Sequence, residues 1–419
     1  MKILIVSRSF PSDFHTKVHG AYQRLRMFVD GAKEIASIDM LFYVAPDLDV
    51  DLSFVENVKR SFLEHWNLEA NVFFCPMATF QAEHTIIQKF WDYLVGSVSF
   101  FRQPGYKEVS GLQQVEALET CLRQKPDAIL VDRLNAMCPL LLTRESLPPV
   151  FLNLDDIDHV ALSRTARNRP QRRLRFQMYS RVPRLILAER QAIRLARKTF
   201  VCSDVDRQYL SNHWRLPDVV TIPNAVAIPR QHALTKEPVL LFIGSYTFGP
   251  NVEAAEFLIE SVWPRVQKEM SQARLIIAGA HPEKIRGYDS GKDGVEFPGF
   301  VTDLEGLYKR SRIICAPIFT GAGTRVKIIE AAAYGKPIIA TRIGAEGIDM
   351  RDGRDILLRN EVDSFIEACL QLLRDMSFCE QLGAAARARA IQLYDRNNVM
   401  KLIRRHLKNE AEDREDTTR

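Results

Sequence analysis

The sequence predicts an α/β protein built as two parallel-sheet units in tandem. Three observations carry that expectation. Short apolar, β-branched runs alternate with longer helical patterns, the arrangement of βα units around a parallel sheet. The pattern begins at the first residues and restarts near residue 239. A length of 419 residues exceeds one ordinary core and suits two.

In the first half the expected strands are residues 3–6, 39–44, 71–75, 128–131, 150–154 and 199–202, with helical stretches that include 22–35, 110–123 and 185–197. Residues 221–238 read as the seam, because Ile222-Pro223-Asn224-Ala225-Val226 is followed by a polar, proline-containing stretch. The second half opens with a strand at 239–243, a turn and a helix at 251–266. Strands at 274–278, 295–297 and 313–316 follow, then a helix at 324–334 and a strand at 338–340. The chain ends in a helix at 378–394, a basic helix at 397–408 and a charged tail, 409–419, expected to fray.

Hydrophobic residues make up 46% and charged residues 26%, the balance of a folded chain rather than a disordered one. A net charge of +5 is mild, and no recognition motif accompanies it, so no nucleic-acid partner is expected. Cys75, Cys121, Cys138, Cys202, Cys315, Cys369 and Cys379 are odd in number and scattered, without a C-x-x-C pair. They read as reduced thiols in a cytoplasmic setting and argue against a zinc site. The apolar start at 3–6 is too short for a secretory leader, and no apolar run is long enough to span a bilayer. Any membrane association is therefore expected to be peripheral, at the inner face.

The most informative stretch is 316–330, A-P-I-F-T-G-A-G-T-R-V-K-I-I-E, where a strand, a glycine-bearing loop and a helix follow one another. Gly321 and Gly323 let the backbone turn tightly and approach a ligand. A helix starting at about Thr324, with that residue as its cap, offers N–H groups and a positive dipole end to a phosphate. At about 100° per residue, Val326, Ile329 and Ala333 share a core-facing arc. Lys327 and Glu330 sit side by side on its edge. Lys327 can meet a diphosphate, and Arg325 adds a forked donor for phosphate oxygens. Glu330 can accept hydrogen bonds from the vicinal hydroxyls of a ribose. The alternative is an ordinary solvent-facing pair beyond a capped helix start.

These residues carry a resemblance. Residues 321–341, G-A-G-T-R-V-K-I-I-E-A-A-A-Y-G-K-P-I-I-A-T, resemble the donor site of family 4 glycosyltransferases. Residues 222–226 are similar to that family's interdomain P-N-G-V segment, with Ala225 in the glycine's place. Phe242-Ile243-Gly244-Ser245 with Pro250-Asn251 resembles the first strand, turn and helix of the donor domain. Residues 294–301, G-V-E-F-P-G-F-V, resemble the strand and loop that cover the base, and Gly344-Ala345-Glu346-Gly347 is also familiar. The resemblance implies the GT-B fold, two Rossmann-like domains facing each other across a cleft. Its parts would be an acceptor domain at 1–226, a nucleotide-sugar domain at 227–384 and a last helix with a tail at 385–419 that crosses back to the first. It assigns Glu330 to the second glutamate of the family's E-x7-E motif and puts Ala322 in place of the first. Ser245 and Asn251 replace basic residues common in the family, so Arg325 and Lys327 are read as the source of positive charge. Gly244, Ser245, Asn251, Phe300, Val301, Gly321, Gly323, Thr324 and Glu330 are then the expected donor-binding residues.

In the first half, the loop at 10–20 should face the donor, since ligands sit at the C-terminal ends of parallel strands. His19 and Gly20 are the candidates there, against a plain βα turn. After the strand at 150–154, Asp155 or Asp156 stands where family members often carry a functional histidine, with His159 nearby. An acid there could orient a donor-sugar hydroxyl, or it could cap a helix. Eight arginines lie between residues 164 and 184, with no acidic residue between His159 and Glu189. Leu174, Phe176, Tyr179, Val182 and Leu185 interleave with them. With the apolar-aromatic segment 90–101, that mixture suits an anionic membrane surface or a lipid-diphosphate acceptor, the alternatives being a solvated arginine face and a core helix.

The activity implied by the resemblance is transfer of a sugar from a nucleoside-diphosphate sugar to a glycan or lipid-linked acceptor in polysaccharide or glycoconjugate biosynthesis. It implies retention of configuration, with the donor phosphate helping to deprotonate the acceptor. Arg325, Lys327, Asp155 and Asp156 are the expected catalytic residues. No D-x-D pair stands at a matching strand end, so no metal and no cofactor is expected. Ala322 keeps open a catalytically silent binding subunit, and a GT-B sugar-nucleotide epimerase is a third reading. The first strand leads into Ser7-Arg8-Ser9-Phe10 and not a dinucleotide fingerprint, which argues against a nicotinamide dehydrogenase.

Overall fold

A computed structural model describes residues 1–11, 20–79, 86–214, 216, 218–288, 293–321 and 323–417. The chain divides into two units, Met1–Pro223 with Met400–Arg419, and Asn224–Val399.

The first unit is built on seven strands: β1 (Lys2–Ser7), β2 (Ser37–Val44), β3 (Ala70–Pro76), β4 (Ala128–Asp132), β5 (Val150–Asn153), β6 (Lys198–Val201) and β7 (Val219–Thr221). They line up as β3-β2-β1-β4-β5-β6-β7, with every pairing parallel. Parallel neighbours need crossovers, and helices such as Gly20–Ala32 and Val182–Leu195 supply them. Covered on both faces, β1 buries every residue after Lys2, which is why it reads as a continuous apolar run. Six strands lie where the sequence predicts them. The edge strand β7 is not among the expected strands, and only its last residue, Thr221, falls in the expected seam: its three residues are too few to show a pattern, and all are only partly buried.

The second unit carries six strands: β8 (Val239–Ile243), β9 (Arg274–Ala278), β10 (Val295–Gly299), β11 (Ile313–Ala316), β12 (Ile338–Ala340) and β13 (Leu357–Leu358). Their order is β10-β9-β8-β11-β12-β13, again all parallel. The helix expected at 251–266 runs as Gly249–Glu256, a π-helical turn Phe257–Val262 and Trp263–Glu269. Leu240, Phe242, Ile277, Ile313 and Cys315 pack with Leu258, Trp263 and Phe365 on one side of this sheet. Leu241, Ile276, Ile314 and Ala340 pack with Ile328, Ile329 and Ala332 on the other.

Three expectations need correction. The helix expected at 324–334 spans Val326–Ala333, with Arg325 rather than Thr324 at its cap. The last helix does not fray at 409 but continues to Thr417, since nothing between Arg396 and Thr417 is a glycine or proline that would stop it. Residues 385–399 group with the second unit, where Ala386, Ala390 and Tyr394 enter its core, and only 400–419 belong with the first. There Ile403 and Leu407 are buried, and Ile403 lies so near Gly31 that a Cβ on that glycine would sit 2.9 Å from its Cγ2.

In each sheet the strand order reverses direction beside one central strand, β1 in the first unit and β8 in the second. Ligands of open α/β sheets bind beyond the carboxyl ends of the strands at such switch points. In the second unit that place is the turns after β8 and β11.

Candidate functional site

The turns after β8 and β11 are joined by one side chain. Asn251, buried in the helix that follows β8, donates from Nδ2 to the Ser245 carbonyl at 2.9 Å, and its Oδ1 accepts from Lys327 Nζ at 2.8 Å. The fit leaves no room at Gly244, where a Cβ would stand 2.8 Å from Asn251 Cγ. Gly279, at the end of β9, is tighter still: its φ is +142°, and a Cβ there would stand 1.6 Å from the Gly244 carbonyl oxygen. Gly321 and Gly323 take φ of +99° and +77°, left-handed conformations that a side chain resists, and they turn the chain from β11 into the helix. Arg325 folds back over this loop, donating to the Thr320 carbonyl at 3.2 Å. Thr324 does not cap the helix; its hydroxyl accepts from Asn224 Nδ2 at 2.6 Å, so the P-N segment braces the loop.

Lys327 is not the solvent-facing residue that a surface pair would require. Its ammonium lies 4.5 Å from the centre of the Phe242 ring as well as on Asn251. Burial, followed by the neighbouring Arg325 charge, pushes it down to about 7, against the pull of Glu330. Glu330 lies one turn on, partly buried, beside the Tyr308 and Tyr334 rings, which stack with centres 4.3 Å apart. Phe300, beyond β10, is exposed, while Val301 packs against the core. Among the described residues, no group of three or more His, Cys, Asp or Glu could hold a metal ion.

The first unit gathers polar side chains at the ends of β1, β4 and β5. Asp132 accepts from the Ser7 hydroxyl and from Asn153 Nδ2, both at 2.8 Å. Arg24, buried on the helix Gly20–Ala32, donates to Asn153 Oδ1 at 2.8 Å and to the Ile222 carbonyl at 2.9 Å. Asp155 pairs with Arg133, approaches Arg24 at 3.6 Å and accepts from the Cys202 thiol at 3.1 Å. Burial alone would raise its carboxyl, yet Arg133 and Arg24 hold it below the usual range. Arg133 itself stands at φ +73°, ψ 158°, a conformation that stores strain. Asp155 is thus held in a partly exposed ion pair with Arg133. Asp156 lies within the field of Arg133, and neither aspartate caps the following helix, which starts at Asp158 after Ile157. His159 is structural: it bonds Glu189 and Tyr209 and stacks on Trp214. Gly20 opens the first helix, and both His19 and Ala322 lie outside the described residues.

Residues 237–375 match the family model of glycosyl transferases group 1. That match lies within the second unit. The chain is 26% identical over 216 residues to a phosphatidyl-myo-inositol mannosyltransferase of Mycobacterium leprae, covering 47% of this chain and 56% of that protein. It is 23% identical over 172 residues to an uncharacterized 44.6 kDa protein in the cps region of Klebsiella pneumoniae, covering 39% and 44%. The chain spans about half the length of the curated relatives it matches. Over nearly its whole length it has the GT-B fold of solved glycosyltransferases. Sucrose-phosphate synthase from Thermosynechococcus elongatus superposes with a TM-score of 0.68 at 16% identity, covering 97% of this chain and 98% of that one. Anabaena HepE, solved with UDP and glucose, gives 0.65 at 14%, covering 98% and 100%.

Within the second unit, the structure brings Gly244, Ser245, Asn251, Lys327, Arg325, Gly321, Gly323 and Thr324 together at the ends of β8 and β11. Asn251 enters as a brace for Lys327, since both ends of its amide are occupied. Residues that sequence reasoning missed are Asn224 in this unit, and Arg24, Asp132, Arg133 and Asn153 in the first. The only signal for the last three was a polar residue closing or following an otherwise apolar strand.

Proposed function

We propose that the protein is a glycosyltransferase whose second unit holds a nucleoside-diphosphate sugar and whose first unit takes a glycan or lipid-linked acceptor. The observation that carries this reading is the grouping of Lys327, Arg325 and the start of the helix Val326–Ala333 beyond β11, with Glu330 one turn further on. A departing nucleoside diphosphate gains negative charge on its phosphate oxygens. Lys327 and Arg325, with the N–H groups of the helix start, would stabilise that charge as it develops, with no resident metal and no cofactor. Asn251 would keep the Lys327 ammonium in place. Glu330 would accept from the ribose hydroxyls, and Phe300 would lie against the base. Retention of configuration and assistance by the donor phosphate come from the family resemblance alone.

The test is a thermal-shift panel of UDP-, GDP-, ADP- and CMP-sugars, followed by kinetics on the one that binds. Lys327→Ala and Glu330→Ala should each lower donor use about tenfold or more, the loss of one charge-assisted contact. Wild-type kinetics in both variants would overturn the assignment. Ala322, in place of the family's first glutamate, motivates a second reading as a binding subunit without turnover. Nucleotide binding with no donor hydrolysis or transfer across the panel would favour it.

A further inference from the structure

Two segments far apart in sequence adjoin on the first unit, and both turn apolar side chains to water. The helix Arg172–Tyr179 buries none of its eight residues. Leu174, Phe176 and Tyr179 are 41%, 69% and 41% exposed. So short a helix draws little stability from its own bonds, and large apolar side chains on it gain nothing while they face solvent. By helical phase, Phe176 and Tyr179 share a side with Arg172 and Arg175. The helix Ile86–Val98 presents Trp91, Leu94 and Val98, spaced as one stripe and 60%, 38% and 62% exposed. Such a stripe ordinarily faces a core. The two segments are tied where they meet: Ser97 Oγ lies 3.1 Å from Ser180 Oγ, and Gln103 Nε2 donates to the Arg181 carbonyl at 3.1 Å.

The charge around these side chains has one sign. Arg167, Arg169, Arg172, Arg173 and Arg184 are exposed, and among the described residues none of them forms an ion pair. No acidic residue interrupts 160–188. We infer that this face docks on the surface of an anionic lipid bilayer. Trp91, Leu94, Val98, Phe176 and Tyr179 enter the interface, and the arginines meet lipid phosphates. A second copy of the chain does not fit as occupant, because a two-fold interface would set arginine against arginine. The unit lies on the bilayer and does not cross it, since no described helix is long and apolar enough to do so. This inference does not rest on the donor reading.

Flotation of the full chain with vesicles tests it. The protein should float with vesicles containing about a third phosphatidylglycerol and stay behind with phosphatidylcholine alone, and added salt should weaken the association. Trp91→Ser with Phe176→Ser, and separately Arg172→Glu with Arg173→Glu, should each lower the vesicle partition coefficient about tenfold or more, with an unchanged melting temperature. Those side chains are exposed, so the fold should survive both pairs. Absence of flotation with anionic vesicles would overturn the inference. So would equal flotation of folded variants, or light scattering that shows the chain associating with itself through these residues.

Discussion

Lys327 sets the chemistry of the site because Phe242 and Asn251 partly shield its ammonium from water. With its pKa pushed down to about 7, a substantial part of it is neutral at pH 7 in the free protein. A diphosphate beside it favours the charged form and raises that pKa, so donor binding should take up a proton. The sign follows: affinity is level below pH 7 and falls as pH rises above it, by up to about tenfold per unit until the bound pKa is reached. A nucleotide sugar is the right probe, since its diphosphate lacks the terminal phosphate ionisation near pH 6. Calorimetry in buffers of differing ionisation enthalpy should show the uptake at pH 8, and Lys327→Met should abolish it. In the first unit Asp155 makes a different case. Removing it as Asp155→Ala takes the nearby carboxylate from buried Arg24 and the ion-pair partner from part-exposed Arg133, and should cost about 1–3 kcal/mol in chemical denaturation. The sequence singled out Asp155 but not its guanidinium partners. Arg133 lies one strand over and Arg24 more than a hundred residues upstream, and neither is a neighbour until the sheet forms.

At the level of elements, glycines divide into those that the packing requires and those that it does not. Gly279 meets the Gly244 backbone and stands at φ +142°, so Gly279→Ala should be severely destabilising, about 3 kcal/mol or more, or should prevent folding. At Gly249, the first residue of the helix after β8, a Cβ meets nothing within 4 Å. Gly249→Ala should leave denaturation unchanged or stabilise by up to about 1 kcal/mol. The strands were legible because burial on both faces writes them as unbroken apolar runs, β1 and β8 above all. The cap of the helix Val326–Ala333 was not legible. A threonine after glycine reads as a cap, and only the folded chain shows Asn224 reaching across to take its hydroxyl. For the arginine-rich stretch the sequence left an anionic surface, a solvated face and a core helix open, and that the helix Arg172–Tyr179 buries none of its residues is a tertiary fact.

On the scale of the molecule, the last helix returns residues 400–419 to the first unit, where Ile403 packs on Gly31. Truncation after Val399 should therefore lower the melting temperature by uncovering Ile403's partners, with about 2–5 kcal/mol lost for the large apolar side chains removed. The tandem architecture and the donor-side motif were both readable, because repetition of βα units and a glycine loop before a helix are local patterns. The first unit's polar network was not, since it is assembled from β1, β4, β5 and the helix Gly20–Ala32. The central claim concerns the loop after β11, and calorimetric titration tests it most directly: wild type, Lys327→Ala and Glu330→Ala against UDP, GDP, ADP and CMP sugars at pH 7. The account predicts saturable binding of at least one of them by the wild type, weakened about tenfold or more by each substitution. Failure of every nucleotide sugar to bind, or equal affinity in all three proteins, would contradict it.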